Sequence, residues 1–344
     1  MRADLALIGF GHVGRRFARL LDERRDWLSL DYDLDCRIVA ISTRRHGSIA
    51  NPAGVDAVDL ARQLETDASS SLGGNGDSFA AIRALADSPA DLKIAVETTL
   101  LDIGAGQPAI DHVRAALQAG CHVVTANKGP AAFAYEELSA LAADRGLTFL
   151  FEGAVMDGVP VFNLARETLP AVEVRGFRGV INSTTNHILT AIEDGESFDS
   201  ALARMQAEGI AEADPSLDID GWDAAAKTSA LANVLLRARM TPQAVEREGI
   251  DHGTARLAMA AKARGNRVRL VASARRTPGG FSASVRPVEL PESDLLAGLR
   301  GMANALVLET DLLGDVAICQ LNGGLTMTAY ALLTDLVSIR RGVR

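Results

Sequence analysis

Cysteine is scarce in this chain: Cys36, Cys121 and Cys319 are the only three in 344 residues, and they lie far apart. That spacing suits neither a zinc site nor a disulfide framework, and the expected compartment is a reducing cytoplasm. Long uncharged apolar runs are also missing, so no segment reads as membrane-spanning. The start, MRADLALIGF, has one basic residue and passes straight into a strand pattern. It lacks the long apolar core and cleavage site of a secretory leader. Positive charge is in deficit. A formal net charge of −9 argues against a nucleic-acid or anionic-membrane surface as the main partner, though not against a small ligand in a local basic pocket. His12, His187 and His252 are scattered, form no metal-ligand pair, and read as polar surface or satisfied core.

What is present is a globular composition. Hydrophobic residues at 48% suffice for real cores, and the length favours two domains. The first part alternates: DLALIGF, CRIVAIST, LKIAVETT, HVVTA and LTFLFEG read as strands. Helical spacing falls between them in HVGRRFARLLDERRDWL, AIDHVRAALQAG and YEELSALAADRG. Strands alternating with helices predict a parallel sheet with crossovers. The run SSSLGGNGD near Ser69–Asp77 predicts a mobile, turn-rich loop. After about Glu152 the alternation weakens. AVEVRGFRGVINS, NRVRLVASARR, GFSASVRPVEL and ANALVLETD read as strands. TTNHILTAIEDG, opened by a threonine cap, SFDSALARMQAEG and Trp222–Arg239 read as helices. The expected fold is α/β: a Rossmann-type dinucleotide-binding domain over 1–150, then an α+β domain with an open sheet over 151–321. A tail helix over about 322–344 is expected to pack back on the first.

The strongest motif is Gly9-Phe10-Gly11-His12-Val13-Gly14, a G-x-G-x-x-G that follows a strand and opens a helix. Its glycines let backbone approach a pyrophosphate whose charge faces the helix N-terminus. A tight turn that binds nothing is the competing reading. At the end of the second strand, NAD sites place an acid for the ribose hydroxyls. Here Thr43-Arg44-Arg45 stand instead. Guanidiniums pair with phosphate, so NADP(H) is favoured over NAD(H); the alternative is a solvated basic turn.

Four stretches together resemble homoserine dehydrogenase, in the short form without a C-terminal regulatory domain. They are IGFGHVG, TANKGPAA at Thr125–Ala132, INSTTNHIL at Ile181–Leu189, and AEADPSLDIDGWDAAAK at Ala211–Lys227. The resemblance covers nearly the whole chain. It implies interconversion of homoserine and aspartate 4-semialdehyde with a nicotinamide cofactor, in the pathway to threonine and methionine, by a homodimer joined through the second domain's sheet. The dimerisation role of that domain comes from the resemblance alone.

The resemblance also implies site residues. Asp223 and Lys227 would lie beside the reacting carbon, and Lys128 between cofactor and substrate. Glu212 and Asp218 would hold the substrate, with Ser183 and Thr184 near it. Thr98, Thr99 and Gly324 would touch the cofactor. A glycine-rich loop holding a structural monovalent cation in the family corresponds to Glu152, Val155 and Asp157; Met156-Asp157 here replace small residues. Ser183 and Ile210 also depart from the family pattern, which leaves open a same-fold dehydrogenase of another amino or hydroxy acid. A non-catalytic NADP(H)-binding regulatory protein is the rival from another class.

The chemistry suits these residue types. Hydride transfer to an aldehyde leaves charge on oxygen, which a lysine ammonium can stabilise and protonate. Either lysine could act. Asp223 lies one helical turn from Lys227, where it can orient the amine. A surface i,i+4 ion pair is the plainer reading of that spacing, as capping is for Glu212 and Asp218, and a solvated strand-end lysine for Lys128.

Overall fold

The structure, a computed structural model, describes residues 1–67, 69–209, 211 and 214–343. The chain divides into two compact units. The first comprises Met1–Pro130, Ala134–Pro160 and Gly324–Arg344; the second comprises Ala131–Phe133 and Val161–Gly323.

In the first unit six strands form one sheet: β1 Arg2–Ile8, β2 Asp35–Thr43, β3 Gly47–Ala50, β4 Leu92–Glu97, β5 His122–Thr125 and β6 Phe149–Leu150. Their order is β3-β2-β1-β4-β5-β6. All pairings are parallel except β2–β3, an antiparallel hairpin. The crossovers carry α1 His12–Glu23, α2 Arg25–Tyr32, α3 Ala57–Thr66, α4 Ser78–Ala86, α5 Ala109–Gln118 and α6 Lys128–Asp144. A parallel sheet is covered on both faces, so its strands need continuous apolar runs. Leu5, Leu7, Ile38, Ile41, Ile94, Val96 and Val124 meet that need and are buried together. Order reverses between β1 and β4, and the crevice at their carboxyl ends is where such sheets bind nucleotides.

The second unit has a mixed sheet: β7 Val174–Val180, β8 Glu246–Arg247, β9 Asn266–Thr277, β10 Gly280–Pro291, β11 Asn304–Thr310 and β12 Asp315–Gln320. Their order is β12-β11-β7-β9-β10-β8, antiparallel but for the short β10–β8 pair. Its helices are α7 Val161–Asn163, α8 Ser183–Glu193, α9 Phe198–Ala207, α10 Ser216–Ile219, α11 Trp222–Leu231 and α12 His252–Ala263. Arg269 on β9 and Glu193 at the end of α8 form a fully buried ion pair. Burying charge is tolerated only with full partnership. Arg269 also donates to the carbonyls of Val268, Ala297 and Leu299, which supplies it and pins α8 to the sheet.

The last helix, α13 Leu325–Arg340, belongs to the first unit. Ala329, Leu332, Leu333, Leu336 and Ile339 recur at helical spacing and enter that unit's core. Each large side chain there contributes about 1.5–3 kcal/mol.

Three local features differ from the sequence reading, in a cap, a helix end and the strand count. Asn182, not a threonine, caps α8, its side chain accepting from Thr185 N. The helix from Trp222 is regular to Leu231 and then widens into one π turn, Ala232–Leu236. Strands β3, β8 and β12 were not expected: the first two are four and two residues long, and the last alternates exposed and half-buried residues at a sheet edge. The glycine-rich loop near Ser69–Asp77 lies close on the β2–β3 hairpin: a Cβ on Gly47 would come within 1.9 Å of Gly73 O. Ser48 N donates to that same oxygen at 3.0 Å. Among the described residues, no helix is long and apolar enough to cross a membrane.

Candidate active site

The three glycines after β1 do different jobs. Gly9 has φ +95°, and a Cβ there would lie 2.7 Å from the Thr98 carbonyl carbon. A Cβ on Gly14 would meet Gly9 O at 2.8 Å, so this glycine lets α1 close on the turn. At Gly11 a Cβ would meet no protein atom within 4 Å. That open side, at a helix start with no side-chain cap, fits a pyrophosphate approaching backbone N–H groups. Phe10 is buried and Val13 half-buried, so they serve the core while their backbone shapes the loop; His12 is exposed. Thr98 N donates to Ile8 O at 2.7 Å and Thr98 Oγ1 to Gly9 O at 3.0 Å. Thr98 and Thr99 thus flank the glycine loop at the end of β4.

At the end of β2, buried Thr43 accepts from His46 N at 2.8 Å and shapes the turn to β3. Arg44 and Arg45 are exposed in that turn, and among the described residues neither forms an ion pair. Lys128 is the half-buried first residue of α6, which Asn127 caps by accepting from Gly129 N. Gly324 opens α13, its N–H on Asp157 Oδ2 at 3.4 Å. Asp157, at φ +48°, also accepts from Thr328 Oγ1 at 2.9 Å. Glu152 and Val155 are buried beside this turn, and Glu152 N donates to Asp335 Oδ2.

In the second unit, charge gathers where α8, α10 and α11 begin. Lys227 Nζ lies 2.9 Å from Asp223 Oδ2 and donates to Ile181 O at 2.8 Å. Their side chains are 15% and 16% exposed, which rules against a solvated surface pair. Asn182 Nδ2 donates to Asp218 Oδ1 at 2.7 Å and to Asp223 Oδ2 at 3.0 Å, tying both acids to the cap of α8. Burial pushes the Asp218 carboxyl above its ordinary value, and the Asp223 carboxylate adds to the push; Asn182, Thr184 and Lys227 oppose it. Ser183 Oγ accepts from Asn304 Nδ2 at 2.7 Å. Gly221, at φ +81°, turns the chain from α10 into α11.

The structure therefore brings Thr184, Asp218, Asp223 and Lys227 together, with Ser183 adjacent. Glu212 and Ile210 lie outside the described residues. Asn182 was not singled out from the sequence. Its signal was there, an asparagine just ahead of a helix-opening run. Among the described residues no cluster of His, Cys, Asp and Glu is suited to a metal ion.

Residues 9–152 match the family described as "Homoserine dehydrogenase, NAD binding domain", and residues 160–337 match "Homoserine dehydrogenase". The chain belongs to the homoserine dehydrogenase family. It is accordingly a nicotinamide-dependent oxidoreductase acting on a CH–OH group. It is 38% identical to the NAD(+)-dependent homoserine dehydrogenase of Pseudomonas canavaninivorans, over 98% of this chain and 96% of that one. It is 34% identical to the homoserine dehydrogenase of Methanocaldococcus jannaschii, over 98% of each. The fold matches a putative homoserine dehydrogenase from Archaeoglobus fulgidus with a TM-score of 0.86, at 28% identity and 99% coverage of both chains. A hyperthermophilic archaeal homoserine dehydrogenase in complex with NADPH gives 0.80, at 29% identity, over 98% of this chain and 97% of that one.

Proposed function

We propose that the protein interconverts L-homoserine and L-aspartate 4-semialdehyde, with NADP(H) preferred over NAD(H) and a lysine handling the proton. The observation that carries this is the shielded Asp223–Lys227 pair beside a second acid, Asp218. Homoserine presents an ammonium, a carboxylate and a primary alcohol. Asp218, with Glu212, supplies negative charge for the ammonium. Lys227, fixed by Asp223 and by Ile181 O, supplies a directed donor for the oxygen that gains charge during reduction. In oxidation the alcohol proton leaves to a neutral lysine amine, Lys227 or Lys128, as the carbon loses hydride. The nicotinamide, when bound, exchanges that hydride. Thr98, Thr99 and Lys128 would border it, and the open side of Gly11 fits the dinucleotide's pyrophosphate.

The preference for NADP rests on Arg44 and Arg45, exposed where an NAD site carries an acid. One relative is named NAD(+)-dependent, so a cofactor comparison is the deciding test. Initial rates of NADP and NAD reduction by homoserine should show the higher kcat/KM with NADP. Arg45→Ala should lower the NADP value about tenfold or more, the worth of one charge-assisted contact, and leave NAD little changed. Equal or greater efficiency with NAD would overturn the preference. Failure with both cofactors, alongside turnover of another hydroxy acid, would overturn the substrate.

Two further parts belong to this reading. A homodimer forms through the second unit's sheet, whose edge strand β12 is flanked by exposed Leu312, Leu313 and Leu321. A structural monovalent cation would be held at the turn of Glu152, Val155 and Asp157, where the Asp157 carboxylate already accepts from Gly324 N and Thr328 Oγ1.

A further inference from the structure

Glu97 ends β4 and is 1% exposed, yet the chemistry above gives it no role. Its carboxylate has no arginine or lysine partner among the described residues; buried His112 has Nδ1 3.8 Å from Oε1. Burying a carboxylate is costly unless its oxygens are supplied, so its donors matter. Oε1 accepts from Thr99 N at 3.0 Å and from Thr99 Oγ1. Oε2 accepts from Thr125 Oγ1 at 2.9 Å. Thr125 Oγ1 in turn accepts from Asn127 N at 2.9 Å. Asn127 Oδ1 accepts from Gly129 N at 2.8 Å, while its Nδ2 donates to Thr99 O at 3.0 Å and Leu100 O at 3.2 Å. The chain of bonds closes on itself. It joins Thr99, beside the glycine loop, to the cap of the helix that starts with Lys128.

We propose that Glu97 is a positioning residue for hydride transfer. One buried carboxylate sets Thr99 directly, and sets Lys128 through Thr125 and Asn127, so the cofactor seat and the amine keep a fixed spacing. The direction of each bond makes a carboxylate necessary. Thr125 Oγ1 accepts from Asn127 and must therefore donate its own proton to Glu97. A glutamine has one accepting oxygen; if that stays on Thr99, its amide faces Thr125 and leaves the hydroxyl proton unplaced. The inference rests on the reading that Lys128 and Thr99 serve the reaction, and its test is built to separate the two.

The test compares wild type, Glu97→Gln and Thr125→Val. Thr125→Val leaves the carboxylate and its Thr99 bonds in place, and stands in if Glu97→Gln fails to fold. In both variants kcat per folded molecule for homoserine oxidation should fall about tenfold or more, the scale of a misplaced reacting group. KM for homoserine should stay within about threefold, because Asp218 and its neighbours are untouched. A purely structural role would lower the melting temperature and leave that kcat alone. A second readout needs no turnover. The chain has four lysines, Lys93, Lys128, Lys227 and Lys262, so nitrogen-15 lysine labelling gives four backbone amide signals. The Lys128 signal should move in both variants while those of Lys227 and Lys262 hold. Unchanged kcat in the folded variants, or an unmoved Lys128 signal, overturns the proposal. If wild type itself does not oxidise homoserine, the functional reading fails, and the Lys128 signal still decides whether Glu97 sets that residue.

Discussion

Around Gly9 and Gly14 the first unit packs backbone against backbone, and it leaves open space at Gly11, where α1 starts without a side-chain cap. Around Asp218, Asp223 and Lys227, the second unit crowds charge into a shielded corner and ties it with one amide, Asn182. The first surface can hold the phosphates of any dinucleotide. The second suits a small zwitterion on the function proposed above, and burial raises the carboxyl of its Asp218 above the ordinary value. Generic cofactor binding needs shape; a particular proton transfer needs charges whose positions are locked.

Breaking the second site should have the largest effect. Asp223→Asn keeps the shape but removes the charge that holds Lys227, and kcat should fall about 10²–10⁴-fold, the usual scale for losing proton-transfer machinery. NADPH affinity, followed by its fluorescence, should not change. Next come the glycines, where the contrast is internal. Gly11→Val points into open space, so it should raise the cofactor KM about tenfold or more with little change in melting temperature. Gly9→Ala meets Thr98 backbone at 2.7 Å and a positive φ, so it should cost about 1–3 kcal/mol in thermal unfolding.

Asp218→Asn sharpens the comparison through pH. The raised value means that the folded state holds the Asp218 proton more tightly than the unfolded chain does. Its contribution is therefore fully present below the ordinary carboxylate value and is lost as pH rises through the raised one. The asparagine variant should melt higher than wild type at neutral pH, and the gap should close as pH falls toward the ordinary value. Homoserine KM should rise in the same protein, a stabilising change at the expense of function. The smallest effect belongs to the tail. Asp157→Asn weakens the bonds to Thr328 and Gly324 and should lower stability by about 1 kcal/mol, with kcat unchanged.

Much of this was legible in residues alone, for reasons that differ by region. The parallel strands could be read because a doubly covered sheet demands unbroken apolar runs. β12 could not, because an edge strand with one weakly covered face has no such demand. The glycine fingerprint could be read from spacing, yet spacing does not say which glycine faces protein and which faces open space; only packing around Gly9, Gly11 and Gly14 does. Asp223 and Lys227 share a helix, so their pairing follows from a separation of four. Asn182 and Asp218 are 36 positions apart, and Glu97 and Thr125 are 28 apart. No local pattern joins such pairs, so the amide between two acids and the circuit below Lys128 emerge only once the chain is folded.

We propose that proton transfer depends on Lys227 and that cofactor binding does not. The most direct test measures two quantities on one sample of Lys227→Met: the dissociation constant for NADPH and kcat for homoserine with NADP. The account predicts an unchanged dissociation constant with kcat lowered about 100-fold or more. Wild-type turnover in that variant, or loss of NADPH binding with the fold intact, would contradict it.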